Sequence, residues 1–188
     1  MLALIFDTET SGLLDFRKDL GDKCQPEVVQ LCAKLSLDGV IVSKLNVFVH
    51  GEREIEEKAL EIHRIDRTMT ARCGISRREM VMAFNAMARK ADILVAHNEE
   101  FDVKMLTVAM LREGGAGLIF QQKARFCTMK KSVDVCKIPS TTKPGTYKWP
   151  SLKQAYEMLV DPRGFDNAHD AEADVDACHA VYRVLAAQ

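Results

Sequence analysis

The chain has 188 residues, of which 47% are apolar and 28% are charged, and its net charge is −1 at neutral pH. This length suits one domain with a sizeable core, and the composition excludes a disordered or fibrous protein. Apolar runs such as Ile93–Ala96 are too short to span a bilayer, and Met1–Asp7 lacks a basic leader and a cleavage site. We therefore expect a cytoplasmic protein without a membrane segment. None of the six cysteines forms a CxxC pair, and we expect reduced thiols.

The first 50 residues have the pattern of strands. Leu2–Phe6 is a continuous apolar run and predicts a buried strand. Thr10–Pro26 is polar, contains glycines and a proline, and predicts a loop. Glu27–Leu37 and Val40–Val49 are rich in β-formers, and the Asp-Gly dipeptide at 38–39 that joins them predicts a hairpin.

Helices and short strands alternate in the remainder of the chain. The capping-box sequence Ser-Arg-Arg-Glu at 76–79 predicts the start of a helix. The later elements, in chain order, are predicted as a strand at Ile93–Ala96, a helix from Phe101 to Leu111, a strand at Ala124–Cys127, a loop at Ser140–Pro150, and helices at Ser151–Leu159 and Ala171–Ala187. This order predicts a single α/β domain over residues 1–188, in which helices flank a mixed sheet of about five strands.

The charge is unevenly distributed near the C-terminus. From Gln121 to Lys153, eight basic residues face one acid, whereas from Gln154 to Gln188 seven acids face two basic residues. Solvated helix faces explain such a pattern adequately. The alternative interpretation is a phosphate-binding flank beside an acidic site that needs a metal ion.

Two acids lie where the first predicted strand leaves its apolar run. Because side chains two apart in a strand point to the same face, Asp7 and Glu9 project together while Thr8 turns away. Ligands of open α/β sheets bind at the carboxyl ends of the strands. Paired carboxylates there suit magnesium or manganese, although two solvated acids at a strand end would give the same pattern.

Further acids lie at predicted helix starts. Asp102 comes in the turn from a buried strand into a helix, where the helix dipole alone favours an acid. Asp174 belongs to an acid cluster that opens the last helix and has the same structural explanation. His169 precedes this cluster, and an imidazole beside carboxylates can accept a proton from water.

Together these segments resemble the three motifs of the DnaQ-like (DEDDh) exonuclease superfamily. The matching segments are Asp7-Thr-Glu9-Thr-Ser-Gly12, Ala96-His-Asn98-Glu-Glu-Phe101-Asp102 and His169-x-Ala171-x-x-Asp174. The tyrosine branch of the superfamily has tyrosine at position 170, where this chain has Asp170. A segment that includes Glu61, His63 and Asp66 is also similar to the stretch after the third strand of these enzymes. The resemblance covers almost the whole chain.

The resemblance implies a ribonuclease H-like fold and a 3′–5′ exonuclease that releases nucleoside 5′-monophosphates. It implies two Mg²⁺ or Mn²⁺ ions held by Asp7, Glu9, Asp102 and Asp174, with His169 as the general base. It further indicates substrate contacts by Thr8, Thr10, Gly12, His63, Asn98 and Phe101. Asn98 also has a capping explanation, and Phe101 a core one.

Several alternatives stay open. We expect single-stranded or frayed DNA 3′ ends as the substrate. The first motif lacks the form found in oligoribonucleases, which argues against that group alone. RNA therefore also remains compatible with the sequence. A free-standing enzyme is preferred over the proofreading partner of a DNA polymerase. A binding module without catalysis would have lost a carboxylate or the histidine, and all five are present. Glu99, Glu100, Asp170, Glu172 and Asp176 are expected to be solvated or to start helices.

Overall fold

The computed structural model describes residues 1–187. Its strands are β1 (Leu2–Thr10), β2 (Val28–Leu37), β3 (Val40–His50), β4 (Ile75–Ser76), β5 (Ile93–Ala96) and β6 (Ala124–Cys127). They form one sheet in the order β4-β3-β2-β1-β5-β6. β1, β2 and β3 are antiparallel neighbours, whereas β5 and β6 run parallel to β1. The predicted mixed sheet is confirmed, with the two-residue strand β4 as an unpredicted sixth member.

The first strand is longer than its apolar run. β1 continues beyond Phe6 to Thr10, because its backbone stays paired with β2 through Asp7 opposite Cys32 and Glu9 opposite Gln30. The ladder shifts register between Glu9 and Thr10, where the strand ends. The two acids therefore project from inside a paired strand, and the strand alternation predicted for Asp7, Thr8 and Glu9 is confirmed.

The predicted turn and capping signals are present. Asp38 and Gly39 both have positive φ angles, of 49° and 87°, as the tight hairpin between β2 and β3 requires. The Ser76 side chain accepts a hydrogen bond from the Glu79 backbone, and the Glu79 carboxylate accepts one in return. Both local signals act as predicted.

Eight helices surround the sheet within residues 1–187. They are α1 (Glu57–His63), α2 (Arg67–Cys73), α3 (Arg77–Lys90), α4 (Glu99–Arg112), α5 (Ile119–Gln122), α6 (Thr128–Cys136), α7 (Leu152–Leu159) and α8 (Ala171–Ala186). The helices α3, α4, α7 and α8 were predicted. The other four were not predicted; α1, α2 and α5 have seven residues or fewer, too few for a hydrophobic periodicity to show in the sequence, and α6 has nine.

Alternate residues of β1 enter two separate cores. Leu4 and Phe6 lie on the side of α3 and α4, where Phe6 packs edge-on against Phe84 at 5.3 Å between ring centroids. Ile5 lies on the opposite side and packs with Val175 of α8. Helices α4 and α8 therefore cover opposite faces of β1, and both start near its carboxyl end.

All six cysteines are free; four of them are buried, whereas Cys24 and Cys73 are exposed and do not belong to the core. Among residues 1–187, every helix is too short or too polar to cross a membrane.

Candidate active site

The alternation of β1 continues into the site. By the period of two, Asp7 and Glu9 follow Ile5 towards α8, whereas Thr8 follows Phe6 towards α4. Asp7 and Glu9 are partly buried, and Thr8 is buried. The strand therefore presents two carboxylates to one helix and a hydroxyl to the other.

Thr8 holds the third carboxylate in place. Asp102 is buried in the first turn of α4, and its Oδ1 accepts a hydrogen bond from the Thr8 backbone N–H at 3.0 Å. The same oxygen accepts a second bond from Thr8 Oγ1 at 2.7 Å. These two bonds connect residues that lie 94 positions apart in the chain. Thr8 is thus a positioning residue for Asp102.

The start of α8 brings the fourth carboxylate and the histidine. The side chain of Asp170 caps α8 by accepting hydrogen bonds from the N–H groups of Glu172 and Ala173. His169 is exposed and has a φ of 71°, and its backbone N–H donates to Asp174 Oδ2 at 3.2 Å. The left-handed backbone conformation of His169 thus lets the chain turn before α8, so that His169 and the Asp174 carboxylate lie next to each other.

Three of the candidate residues form a group of metal-ligand size. Glu9, His169 and Asp174 each offer a ligand atom, and these atoms lie within 4.8 Å of one another. The group combines strand β1 with the start of helix α8, as the motif order suggests. Oxygen and imidazole donors at this separation fit a divalent cation.

Burial and neighbouring acids disfavour the ionised forms of all four carboxyl groups in the metal-free protein. Burial, followed by the neighbouring Asp102, raises the pKa of Asp7 well above its usual range. Burial and Asp174 raise the pKa of Glu9 to about 8, and burial raises the pKa of Asp174 to about 6. Burial raises the pKa of Asp102 to about 7, even though the hydrogen bonds from Thr8 lower it. Such a cluster fits divalent cations, which would restore the ionised forms.

A cavity of about 310 Å³ opens beside Glu9. Five of the predicted substrate contacts line it, namely Thr8, Thr10, Gly12, His63 and Phe101. Leu13, Glu56 and Ile62 also line the cavity and were not predicted. Leu13 directly follows the first motif and is 79% exposed. Its position next to Gly12 is the feature of the sequence that could have indicated it as a cavity residue. The cavity joins the loop after β1 to helix α1.

Comparison with known proteins identifies the family. Residues 4–182 match the family model described as "Exonuclease" (RNase_T). The chain belongs to this exonuclease family. Exodeoxyribonuclease 10 of Escherichia coli K12 is 26% identical over 169 residues, which cover 84% of this chain and 66% of that protein. The exonuclease thus spans just under two thirds of the length of this curated relative.

Solved structures share the fold. E. coli Exonuclease I in complex with a dA16 oligonucleotide matches with a TM-score of 0.77 and 14% identity, over 99% of this chain and 41% of that chain. Exonuclease I of Methylocaldum szegediense matches with a TM-score of 0.70 and 18% identity, over 100% of this chain and 40% of that chain. Together with the family match, they confirm the predicted DnaQ-like superfamily and its ribonuclease H-like fold.

His63 of the exonuclease has both ring nitrogens occupied. Nδ1 accepts the backbone N–H of Ile65 at 3.0 Å, so Nε2 carries the proton and donates to the Thr10 carbonyl at 3.2 Å. Burial lowers the pKa of His63. The ring is therefore neutral, and it contacts the cavity through carbon rather than through a free nitrogen.

Asn98 is placed differently from the other predicted contacts. It precedes α4 with a φ of 63° and makes no side-chain capping bond, so capping does not explain the residue. An asparagine tolerates this left-handed conformation better than most residues. The residue is exposed at the start of α4, and it does not line the cavity beside Glu9.

Two of the nearby acids differ from their predictions. Glu99 is buried, 2.9 Å from Arg125, so the expectation that it is solvated is wrong. Glu172 is only partly exposed, because it binds Lys34 and Asn46 of the adjacent strands. The sequence around these acids is polar and gives no sign of partners from distant strands. The expected exposure of Glu100 and Asp176 and the capping role of Asp170 are confirmed.

Much of the basic flank has structural contacts. Lys123 donates to the carbonyls of Arg89 and Ala91 at the end of α3. Arg125 and Lys130 pair with Glu99 and Glu100, Lys153 lies 3.9 Å from Glu157, and Lys131 lies over the Phe126 ring. These five of the eight basic residues therefore have a structural explanation without phosphate.

Proposed function

We propose that this exonuclease removes nucleoside 5′-monophosphates from the 3′ ends of DNA, with a preference for single-stranded or frayed ends. The observation that carries the proposal is the convergence of Glu9, His169 and Asp174 within 4.8 Å, beside the buried carboxylates of Asp7 and Asp102. Family membership supports the reaction type. The names of the relatives, an exodeoxyribonuclease and an Exonuclease I solved with a DNA oligonucleotide, support DNA as the substrate.

The four carboxylates would hold two Mg²⁺ or Mn²⁺ ions. Such ions, when bound, stabilise the charge that develops on the phosphate and on the attacking and leaving oxygens. Thr8 keeps the Asp102 carboxylate fixed for this purpose. A zinc-bound form of the E. coli Exonuclease I complex with single-stranded DNA indicates that a divalent cation can enter a site of this fold.

His169 would act as the general base. Its imidazole is exposed, so water reaches it, and its backbone is fixed by Asp174. An imidazole can take up a proton near neutral pH, which makes a water molecule a better nucleophile towards phosphorus. No serine or cysteine nucleophile is needed in this reaction, since water attacks directly.

The cavity beside Glu9 would receive the terminal nucleotide. Thr10, Gly12 and His63 line it, and His63 on α1 supplies a flat, neutral ring that is hydrogen-bonded to the Thr10 carbonyl. Stacking on a ring does not discriminate between bases, so we expect little sequence preference. A nucleotide reaches a cavity of this kind only when it is unpaired, which explains the expected preference for single strands.

Digestion of 5′-labelled oligonucleotides tests the proposal. Single-stranded DNA and RNA of one sequence are incubated with Mg²⁺ and compared with the Asp7→Ala variant and with EDTA. We expect a ladder that shortens stepwise from the 3′ end, faster for DNA, and a loss of on the order of 10³-fold in the variant. Faster shortening of RNA would make it an exoribonuclease. Absence of shortening of either polymer by the folded, magnesium-loaded protein would contradict the proposal.

A further inference from the structure

Three lysines remain once the structural contacts of the basic flank are removed. Lys137, Lys143 and Lys148 are exposed and form no ion pair with an acid among residues 1–187. All three lie in the segment 137–150, which contains no acid. The segment therefore carries three positive charges without an internal counter-charge.

This segment, called here the 137–150 hairpin, is a built structure rather than an open loop. The backbone N–H of Ser140 donates to the Thr146 carbonyl at 2.9 Å, and that of Lys148 donates to the Ile138 carbonyl at 2.9 Å. Pro139 and Tyr147 form an antiparallel bridge between these bonds. The hairpin can therefore hold side chains in fixed positions.

The end of the hairpin is anchored beside the candidate active site. The Pro150 carbonyl accepts a hydrogen bond from His97 Nε2 at 3.1 Å. His97 lies two residues beyond Val95, which pairs with Ile5, so it is level with Asp7 at the carboxyl end of the sheet. The anchored end of the hairpin thus lies one strand away from the carboxylate cluster, on the β5 side of β1.

A second contact places the anchor near α8. His97 Nδ1 lies 3.0 Å from Thr128 Oγ1, and this hydroxyl lies 3.6 Å from the sulfur of Cys178. Cys178 is one helical turn beyond Asp174. The cavity for the terminal nucleotide lies on the other side, between β1 and α1, so the hairpin and the cavity flank the cluster.

The hairpin exposes two aromatic rings next to its lysines. Trp149 is 63% exposed and Tyr147 is 46% exposed, whereas Pro150 is buried. Since Pro150 makes the anchor, Trp149 is not needed to hold the hairpin in place. Aromatic rings that stack bases, combined with lysines that neutralise phosphates, are the features of a surface that binds single strands without sequence preference.

We propose that the 137–150 hairpin binds the single strand on the 5′ side of the nucleotide being removed. Trp149 and Tyr147 stack on its bases, and Lys143 and Lys148 contact its phosphates. This surface rests on the proposed function for its substrate, but it is separate from the carboxylates and from the cavity beside Glu9. It would retain the strand after each terminal nucleotide has been released.

The intrinsic fluorescence of Trp149 tests the proposal without catalysis, because it is the only tryptophan of the chain. The protein is kept in EDTA, and a labelled twelve-residue oligothymidylate is added while its anisotropy reports binding. We expect strong quenching of Trp149 that follows the anisotropy, and little quenching by thymidine 5′-monophosphate, which is too short to reach the hairpin. A bound oligonucleotide that leaves the fluorescence unchanged would overturn the proposal.

A second measurement separates this surface from the reaction itself. In Mg²⁺, Trp149→Ala should lower kcat/KM on the oligothymidylate by about 5- to 100-fold, as expected for lost stacking. Trp149→Phe should lose less. Hydrolysis of the p-nitrophenyl ester of thymidine 5′-monophosphate should be unchanged, because this substrate has no 5′ strand. Equal loss on the ester would overturn the hairpin's role, whereas an inactive wild-type protein that still shows the quenching would contradict only the proposed function.

The lysines are tested by salt dependence. Replacing Lys143 and Lys148 by alanine should reduce the slope of log affinity against log salt by about 1.4, or about 0.7 for each lost phosphate contact. Lys90→Ala is a matched control, because this exposed lysine ends α3 just before the amino end of β5, whereas the hairpin is anchored beyond the carboxyl end of that strand. An unchanged slope in the double variant, or an equal change in the control, would overturn the assignment of phosphate contacts to the hairpin.

Discussion

Replacing Asp174 by asparagine tests whether the site carries uncompensated negative charge. Burial raises the pKa of Asp174 from 3.8 to about 6. A carboxyl group with a raised pKa in the folded state stabilises the fold below its unfolded pKa, and this stability is lost as the pH rises through the folded pKa. Since one pKa unit corresponds to about 1.4 kcal/mol, ionised Asp174 costs the metal-free protein up to about 3 kcal/mol above pH 6.

The Asp174→Asn variant removes this charge and keeps the shape of the side chain. Its amide oxygen can still accept the His169 N–H. In EDTA at pH 7.5 we expect the free energy of unfolding to increase by about 1–3 kcal/mol, and the gain to shrink towards zero near pH 4. Chemical denaturation over this pH range measures it. Asp134→Asn, at an exposed acid of α6, is the control and should stay within about 0.5 kcal/mol of wild type.

Magnesium should reverse the order of stability. A cation that binds only the folded protein stabilises it and so raises its melting temperature. At a cation concentration one hundred times Kd, the free energy of unfolding increases by about 2.7 kcal/mol. Wild type should gain this stabilisation, and the variant should gain less because it has lost one carboxylate. If the variant, with a native circular dichroism spectrum, is no more stable than wild type in EDTA at pH 7.5, the electrostatic reasoning is refuted.

Three further substitutions test how the site is held. Thr8→Val removes the hydroxyl that donates to Asp102, so we expect about 1–2 kcal/mol lower stability and a lower kcat at similar KM in steady-state assays. Gly12→Ala places a methyl group where the Glu56 carboxylate lies, 2.3 Å from its Oε1, so this flexible side chain must move; the melting temperature should hold while KM rises. Burial lowers the pKa of His97 to about 4, so the stability that the neutral ring contributes is present above pH 6.5 and is lost as the pH falls towards 4. In denaturation experiments, His97→Gln should remove up to about 3 kcal/mol of this pH dependence.

Each of these predictions has a contradicting result. A Thr8→Val enzyme with unchanged kcat would show that Asp102 is held by other groups. If Gly12→Ala unfolds, or if its KM is unchanged, Glu56 does not adjust as described. A His97→Gln variant whose stability follows the wild-type curve from pH 6.5 to pH 4 would mean that His97 does not titrate as its burial implies.

The sequence was sufficient where a local pattern determines the structure. The Asp-Gly turn at 38–39 and the Ser76 capping box depend on neighbouring residues alone, and both were predicted. The order and context of the acids at 7, 9, 102 and 174 also identified the superfamily, because three motifs in the right order are far more specific than any single acid. These signals placed the carboxylates at the ends of their elements before any distance was known.

Contacts between residues that are distant in the chain could not be predicted from the sequence. Asp102 is held by Thr8, 94 positions away, and Glu99 at the start of α4 is buried against Arg125 of β6. Neither pairing follows from periodicity, because each depends on which strands become neighbours in the sheet. The basic flank shows the same limit, since Lys123 looked equivalent to Lys148 until its contacts with carbonyl groups were known.

The most direct test of the central claim is the identity of the first product released from single-stranded DNA labelled in its 3′-terminal nucleotide. With Mg²⁺, the label should appear at once as a nucleoside 5′-monophosphate, and the Asp7→Ala variant should release it on the order of 10³-fold more slowly at the same protein concentration. Label that appears first in longer oligonucleotides, or as a nucleoside 3′-phosphate, would contradict a 3′–5′ exonuclease at the site formed by Asp7, Glu9, Asp102, His169 and Asp174.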